Sequence, residues 1–208
     1  MDKKEKAAKI VRELKELFPQ TKIALTYQTP FQLLVAVILS AQTTDKKVNE
    51  VTPPLFAKFK TAYDFSSLKQ SQLEQYIKSI GLYRGKAKNI LAAAKIIDEK
   101  YNGEIPDSMA EMVALPGVGR KTANVVLGII YGVVDGIAVD THVRRLSQLF
   151  GLSNSSNPDI IERDLMAILP KEEWQNFTYR VIDYGRTYCP ASCKHLDCPL
   201  RMFIVKNN

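Results

Sequence analysis

The stretch LPGVGRKTANVVLGIIYGVVDGIAVD, residues 115–140, decides the fold of this chain. It begins with a short PGVG turn, whose glycines Gly117 and Gly119 permit positive φ and let backbone N–H groups approach an anion without a Cβ in the way. An apolar helix is predicted from Thr122 to about Tyr131. Because a helix N-terminus has unpaired N–H groups and the positive end of the dipole, the turn is suited to bind a phosphate.

Two basic residues, Arg120 and Lys121, follow the turn and add full positive charges. A nucleotide-binding P-loop does not fit, because too few residues separate the glycines and no strand pattern precedes them. The LPGVG sequence between two helical patterns instead predicts a helix–hairpin–helix. In that motif the amides of the hairpin, which here includes Val118, hold a phosphate of the DNA backbone.

Apolar residues recur at helical spacing along most of the 208-residue chain, with no convincing β-hairpin and no internal repeat. The stretch PFQLLVAVILSAQ, beginning at Pro30, is apolar on nearly every face. Such a helix is expected in the middle of a bundle, where all of its faces are covered. The pattern therefore predicts an all-α fold.

The composition favours a polyanionic partner, since the formal charge is +7 and the pI about 9.2. No segment reaches the ~18 apolar residues that a bilayer span requires. Residues 3–18 form a charged amphipathic helix without the apolar core of a signal peptide. We therefore expect a monomeric cytoplasmic protein, associated with the nucleoid through DNA and with no membrane partner.

Several ordered motifs together resemble the endonuclease III family of DNA glycosylases. LPGVGRKTANVVL followed by VDTHVRRL is similar to the helix–hairpin–helix and Gly/Pro–Asp signature of that family. Further similar segments occur in the family's order, namely LLVAVILSAQTTDKKVN (33–49), IKSIGLYRGKAKNI (77–90) and YGRTYC (184–189). The resemblance implies two helical lobes, one from residues 22–133 and one from residues 1–21 and 134–208. Damaged double-stranded DNA would lie across the cleft between them.

Lys121 and Asp140 are the expected catalytic residues. A neutral amine can attack C1′ of a nucleotide and displace the base, so the pKa of such a lysine must fall from ~10.4. A helix N-terminus, partial burial and the neighbouring Arg120 would each lower it. From the local sequence alone, Lys121 could equally be a phosphate contact and Asp140 a helix N-cap. The resemblance places both at catalytic positions of the family, the aspartate stabilising positive charge on the sugar.

Chemistry at C1′ requires that the nucleotide leave the base stack, and something must then fill the gap. Gln42 follows a buried helix and Leu82 lies on a loop, features that are unremarkable by themselves. The resemblance makes Gln42 the gap-filling residue and Leu82 a wedge. Four basic residues are further phosphate contacts or simply solvated surface, namely Lys86, Lys88, Arg144 and Arg145.

The C-terminal cysteines depart from the family pattern. Many relatives bind a [4Fe–4S] cluster through C-x6-C-x2-C-x5-C, whereas this chain offers Cys189, Cys193, His195 and Cys198. Because the fourth cysteine is missing, the usual cluster is doubtful. A cluster would require a histidine or solvent ligand, and there are two other interpretations. One is a Cys3His zinc site. The other, which we favour from sequence, is a metal-free loop packed by four apolar residues, Leu200, Met202, Phe203 and Ile204.

The sequence thus predicts a bifunctional DNA glycosylase and AP lyase that acts on oxidised pyrimidines and needs no cofactor for its chemistry. An alkylated-base or mismatch glycosylase on the same fold is a second interpretation, and Lys121 argues against its monofunctional branch. A helix–hairpin–helix module that binds DNA without catalysis is a third, against which the paired presence of Lys121 and Asp140 argues.

Overall fold

The computed structural model describes residues 2–205, which contain α-helices, two 3₁₀-helices and no β-strand. The prediction of an all-α fold is therefore confirmed. No helix in this described part of the chain is long and apolar enough to cross a membrane. The α-helices are α1 (Lys3–Leu17), α2 (Pro30–Ser40), α3 (Asp45–Lys58), α4 (Ala62–Ser66), α5 (Gln70–Ile77), α6 (Tyr83–Tyr101), α7 (Met109–Val113), α8 (Arg120–Tyr131), α9 (Thr141–Leu149), α10 (Pro158–Ile168) and α11 (Trp174–Thr187). The 3₁₀-helices are Lys171–Glu173 and Arg201–Phe203.

The helices belong to two units. One unit is Ala24–Val133 and contains α2 to α8. The other contains α1, α9, α10 and α11, because it takes the chain up to Ile23 and from Val134 onward.

In the Ala24–Val133 unit, α2 is the central helix. Every residue from Phe31 to Leu39 is buried, and the helix packs against α3, α6 and α8. Thr29 fixes its beginning, since the threonine hydroxyl accepts the backbone N–H of Gln32, and Pro30 occupies the first helical position. The prediction of a helix covered on all faces is confirmed.

The long helix α6 carries much of the remaining structure of this unit. It packs against α2, α4 and α5. Its buried face follows helical spacing, with Ala87, Ile90 and Ala94 among its members. At its N-terminus the preceding residue, Leu82, has left-handed backbone geometry, and this end of the helix belongs to the candidate site described below.

The other unit has its own apolar core. α11 packs against α1 and α9, and α10 also contacts α1 and α9. The fully buried side chains Phe150, Phe177 and Tyr184 are among the largest in this core. Cys189 and Cys198 belong to the same buried cluster, so the cysteine segment is anchored in the core of this unit.

Candidate functional site

The hairpin between α7 and α8 is built around two buried apolar residues and one constrained glycine. Leu115 and Val118 are buried, and the N–H of Val118 donates to the carbonyl of Leu115 at 3.1 Å. Gly117 has φ of 78°, and a Cβ at this position would lie 2.8 Å from the Cβ of Asn89. Both the backbone conformation and the close approach to α6 therefore require glycine here.

Gly119 differs from the prediction, because its φ is −90° and not positive. A Cβ at this exposed residue would meet nothing within 4 Å. Gly119 is the N-cap of α8 and offers no side chain to the first turn of the helix. Since first-turn amides have no acceptor within a helix, this end of α8 is suited to an external anion. The amide of Val118 serves the hairpin itself.

Lys121 is the second residue of α8 and is exposed. The partial burial expected from sequence is therefore wrong. The amine lies two residues after Gly119, the N-cap of α8.

Asp140 is the N-cap of α9. Its carboxylate accepts the backbone N–H of Val143 at 2.8 Å, which confirms the predicted capping contact. The side chain is half-buried. The hydrogen bond fixes its orientation, and the helix N-terminus favours negative charge at this position.

Gln42 and Leu82 share an unusual backbone conformation. Gln42 has φ of 53° and Leu82 φ of 58°, both in the left-handed region. For residues other than glycine this conformation costs about 1 kcal/mol or more, so surrounding contacts must hold it. Both side chains are exposed, Leu82 to 68%. The two turns are neighbours, because a Cβ on Gly81 would lie 4.0 Å from the carbonyl oxygen of Gln42.

Lys86 joins these two turns, and its predicted role as a phosphate contact is wrong. The residue is only 7% exposed, and its Nζ donates to the carbonyls of Leu39 at 2.8 Å and Ala41 at 2.6 Å. A third bond reaches the hydroxyl of Thr43 at 3.1 Å. Burial lowers the pKa of this amine. Lys86 thus caps the C-terminus of α2 from the first turns of α6, on either side of Gln42.

The buried position of Lys86 was not predicted, although the sequence contains a signal for it. Residues 86, 90, 93 and 97 lie at helical spacing, and the last three are apolar and buried. A lysine on that stripe points towards the core, where its charge requires partners.

The four C-terminal donor residues converge. The nearest ligand atoms of Cys189, Cys193, His195 and Cys198 all lie within 4.8 Å of one another. The Sγ atoms of Cys193 and Cys198 are 3.2 Å apart, and the Nδ1 of His195 is 3.4 Å from the Sγ of Cys189. Cys189 and Cys198 are buried, whereas Cys193 and His195 are half-buried. These residues could hold a metal ion.

Polar groups near the cysteines contact their sulfur and backbone atoms. Arg145, predicted to contact phosphate, instead donates to the carbonyl of Cys189 and lies 3.7 Å from its Sγ. A hydrogen bond from the backbone N–H of His195 lowers the pKa of Cys193, and burial raises the pKa of Cys198 to about 12.

The apolar packing predicted for this segment is correct only in part. Leu200 and Phe203 are buried, as expected for residues that pack the loop. Met202, however, is 80% exposed and therefore does not pack it.

Comparison with known proteins places most of these features in one family. The family model described as HhH-GPD superfamily base excision DNA repair protein matches residues 35–171. That range includes Gln42, Leu82, Lys121 and Asp140 but ends before the cysteine segment.

Individual relatives agree with this match. The chain is 49% identical to endonuclease III of Synechocystis over 91% of this chain and 86% of that one. Endonuclease III of Bacillus subtilis is 48% identical over 89% of this chain and 85% of its own. Among solved structures, a trapped endonuclease III–DNA covalent intermediate is similar with a TM-score of 0.92 and 44% identity, covering 98% of this chain and 96% of that chain. The chain belongs to the endonuclease III family of the HhH-GPD superfamily of base excision DNA repair proteins.

Proposed function

We propose that this protein is a bifunctional DNA glycosylase and AP lyase that removes oxidised or ring-saturated pyrimidines from duplex DNA. The observation that carries the proposal is the exposed amine of Lys121, the second residue of α8. The N-cap of this helix is Gly119, which has no side chain to occupy the anion site. The similar structure of a covalent endonuclease III–DNA intermediate supports an enzyme that bonds to DNA.

The chemistry follows from the amine. Neutral Lys121 attacks C1′ of the extruded nucleotide, so that an N–C1′ bond forms while the bond from C1′ to the base breaks. The base leaves with the bonding electron pair. As the sugar ring opens to a Schiff base, the ring oxygen takes the proton that the amine loses, and water later hydrolyses the imine to release Lys121. Loss of a proton from C2′ expels the 3′ phosphate by β-elimination, which cuts the strand 3′ to the lesion. No cofactor takes part in these steps.

Asp140 is proposed to stabilise the positive charge that develops on the sugar. Its contact with the Val143 amide holds the carboxylate in one orientation. A carboxylate fixed in this way acts on the transition state without first having to be reoriented.

Gln42 and Leu82 are proposed to open the duplex. Both are exposed residues held in left-handed geometry, and strain of this kind is frequent at functional sites. Leu82 would wedge between bases and Gln42 would occupy the space that the extruded nucleotide leaves. The net charge of +7 supports a polyanionic partner, and we propose that one chain acts on duplex DNA.

The proposal is tested with duplexes that each carry one lesion. We expect base release and strand cleavage with thymine glycol, strand cleavage with an abasic site, and neither with an undamaged duplex. Base release without strand cleavage would indicate a monofunctional glycosylase. A preference for an alkylated base or a mismatch would indicate a glycosylase specific for that substrate. Tight binding without any reaction would leave only a DNA-binding module.

A further inference from the structure

We propose that Cys189, Cys193, His195 and Cys198 bind one tetrahedrally coordinated zinc ion, in place of an iron–sulfur cluster. The four donor atoms come from a ten-residue segment and face one another. This inference does not depend on the proposed catalytic function, because none of these residues takes part in it.

The distances suit a single ion. Zinc binds cysteine sulfur at about 2.3 Å and histidine nitrogen at about 2.0–2.1 Å, so tetrahedral geometry separates two sulfurs by about 3.8 Å and a sulfur from a nitrogen by about 3.6 Å. The observed separations are 3.2 Å for Cys193 Sγ to Cys198 Sγ, and 3.4 and 3.8 Å from His195 Nδ1 to the Sγ atoms of Cys189 and Cys198. For these three pairs, the tetrahedral separations are reached by shifts of a few tenths of an ångström in each atom.

A [4Fe–4S] cluster does not fit these residues. Four irons and four sulfides must be accommodated between its ligands, whereas here the donor atoms lie within 4.8 Å of one another. The chain supplies three sulfurs and not the usual four. The position of the family's fourth cysteine falls near Phe203 and Ile204, which are apolar and contribute to the packed core.

The residues around the cluster support a closed structural site. Three thiolates and Zn²⁺ carry a net charge of −1, and the guanidinium of Arg145 lies 3.7 Å from the Sγ of Cys189. The backbone N–H of His195 donates to the Sγ of Cys193 at 3.2 Å, a contact that suits a metal-bound thiolate. His195 has φ of 60°, so its backbone is strained where its ring joins the cluster.

The site would fasten the C-terminal segment to its unit. Cys189 and Cys198 are buried in the core that contains Tyr184, whose hydroxyl accepts the N–H of Leu200 at 3.2 Å. Beyond the cysteines, the N–H of Val205 donates to the carbonyl of Leu149 at 2.9 Å. An ion bound by four residues of the intervening turn would cross-link this segment without a disulfide.

The first test is the metal content of the whole protein, purified under reducing conditions from medium containing both iron and zinc. We expect about one zinc per chain, no acid-labile sulfide and no visible charge-transfer absorption. Iron with sulfide would overturn the proposal in favour of a cluster. Absence of metal together with a Cys193–Cys198 disulfide, or with three freely titrating thiols, would overturn it in favour of a metal-free loop.

The second test uses cobalt as a spectroscopic probe and a matched pair of variants. Cobalt(II) added to the metal-free protein should give the intense visible bands of tetrahedral thiolate coordination, and zinc should displace it. His195→Ala should change these bands and weaken zinc binding by about 100-fold or more, since it removes a ligand. Lys194→Ala, at an exposed position in the same turn, should change neither. Equal zinc affinity in the two variants, or octahedral cobalt spectra in the unmodified chain, would contradict the assignment.

Discussion

Two irregular segments of the chain differ in where their polar groups are directed. They are the hairpin Ala114–Gly119 and the cysteine turn Cys189–Cys198. Each is an irregular segment anchored in a core, through Val118 in one case and Cys189 in the other. Each also contains a residue with positive φ. The hairpin leaves the uncapped helix end exposed, whereas the cysteine turn directs its donor atoms towards one another. An open segment can bind a partner, and a closed one stabilises its own chain.

The largest effect should come from Lys121→Ala, which tests the open segment. Loss of the amine should lower strand cleavage at an abasic site by about 10³-fold or more, because no Schiff base can form. The melting temperature should change little, since Lys121 is exposed. Single-turnover cleavage measures this. The control is Lys95→Ala, because Lys95 is an exposed lysine that pairs with Glu99 at 3.8 Å. Comparable losses in both variants would contradict a specific role for Lys121.

Asp140→Asn should have the next largest effect. Asparagine is as good an N-cap as aspartate, so the stability of α9 should be retained while the negative charge is lost. We expect the rate of base release to fall by about 10²- to 10³-fold with the melting temperature nearly unchanged. Rates and thermal unfolding of the same samples separate the two roles. A large fall in melting temperature with normal turnover would show that Asp140 is only a cap.

Removal of metal from the cysteine turn should lower stability while leaving the rate of base release nearly unchanged. We expect a strong chelator to lower the melting temperature by roughly 10 °C, because a structural ion contributes to folding directly. Base release by the protein that remains folded should be nearly unchanged at low temperature. Calorimetry and turnover are compared before and after zinc is restored. Loss of activity without loss of stability would mean that the turn is part of the reaction site.

Lys86→Met should lower both stability and base release, because the buried amine supports the turns that carry the exposed residues Gln42 and Leu82. The variant leaves the carbonyls of Leu39 and Ala41 without their charged donor, so we expect a loss of about 2–3 kcal/mol in the free energy of unfolding. Displacement of Gln42 should also lower base release from duplex DNA more than cleavage at an abasic site. Lys95→Met, at an exposed position on the same helix, is the matched control. Equal effects on the two reactions would limit Lys86 to a purely structural role.

The smallest effects should distinguish the two hairpin glycines. Gly117→Ala places a methyl group 2.8 Å from the Cβ of Asn89 at positive φ, and should destabilise the protein by about 1–2 kcal/mol. Gly119→Ala meets no neighbour and should cost about 0.5 kcal/mol, yet it should weaken DNA binding because the methyl lies at the anion site. Denaturant unfolding and DNA titration at fixed salt measure the two quantities. Equal stability losses would contradict the different environments of these glycines.

The regular parts of the fold were accessible from sequence. α2 is apolar on every face, and burial on every face is the arrangement that such a helix requires. The PGVG turn followed by basic residues likewise identified the hairpin, because glycine and helix-end chemistry act over a few residues. Interactions between residues close in sequence determine these features.

The parts that depend on distant contacts were less accessible. Lys86 and Arg145 were predicted to be phosphate contacts or solvated surface. The structure instead pairs buried Lys86 with backbone carbonyls, and half-buried Arg145 with the carbonyl and thiol of Cys189. The positive φ of Gln42 and Leu82 could not be predicted either, since residues of these types rarely adopt it. The cysteine turn was compared with a family spacing, but convergence of its donors depends on how the turn folds.

The central claim is that the amine of Lys121 bonds to DNA, and borohydride trapping tests it most directly. The protein is mixed with a duplex carrying one thymine glycol or abasic site, and the reductant is added during turnover. We predict a covalent protein–DNA adduct that is lost in Lys121→Ala and retained in Lys95→Ala. No adduct from the unmodified protein, or an adduct that persists without Lys121, would contradict the account.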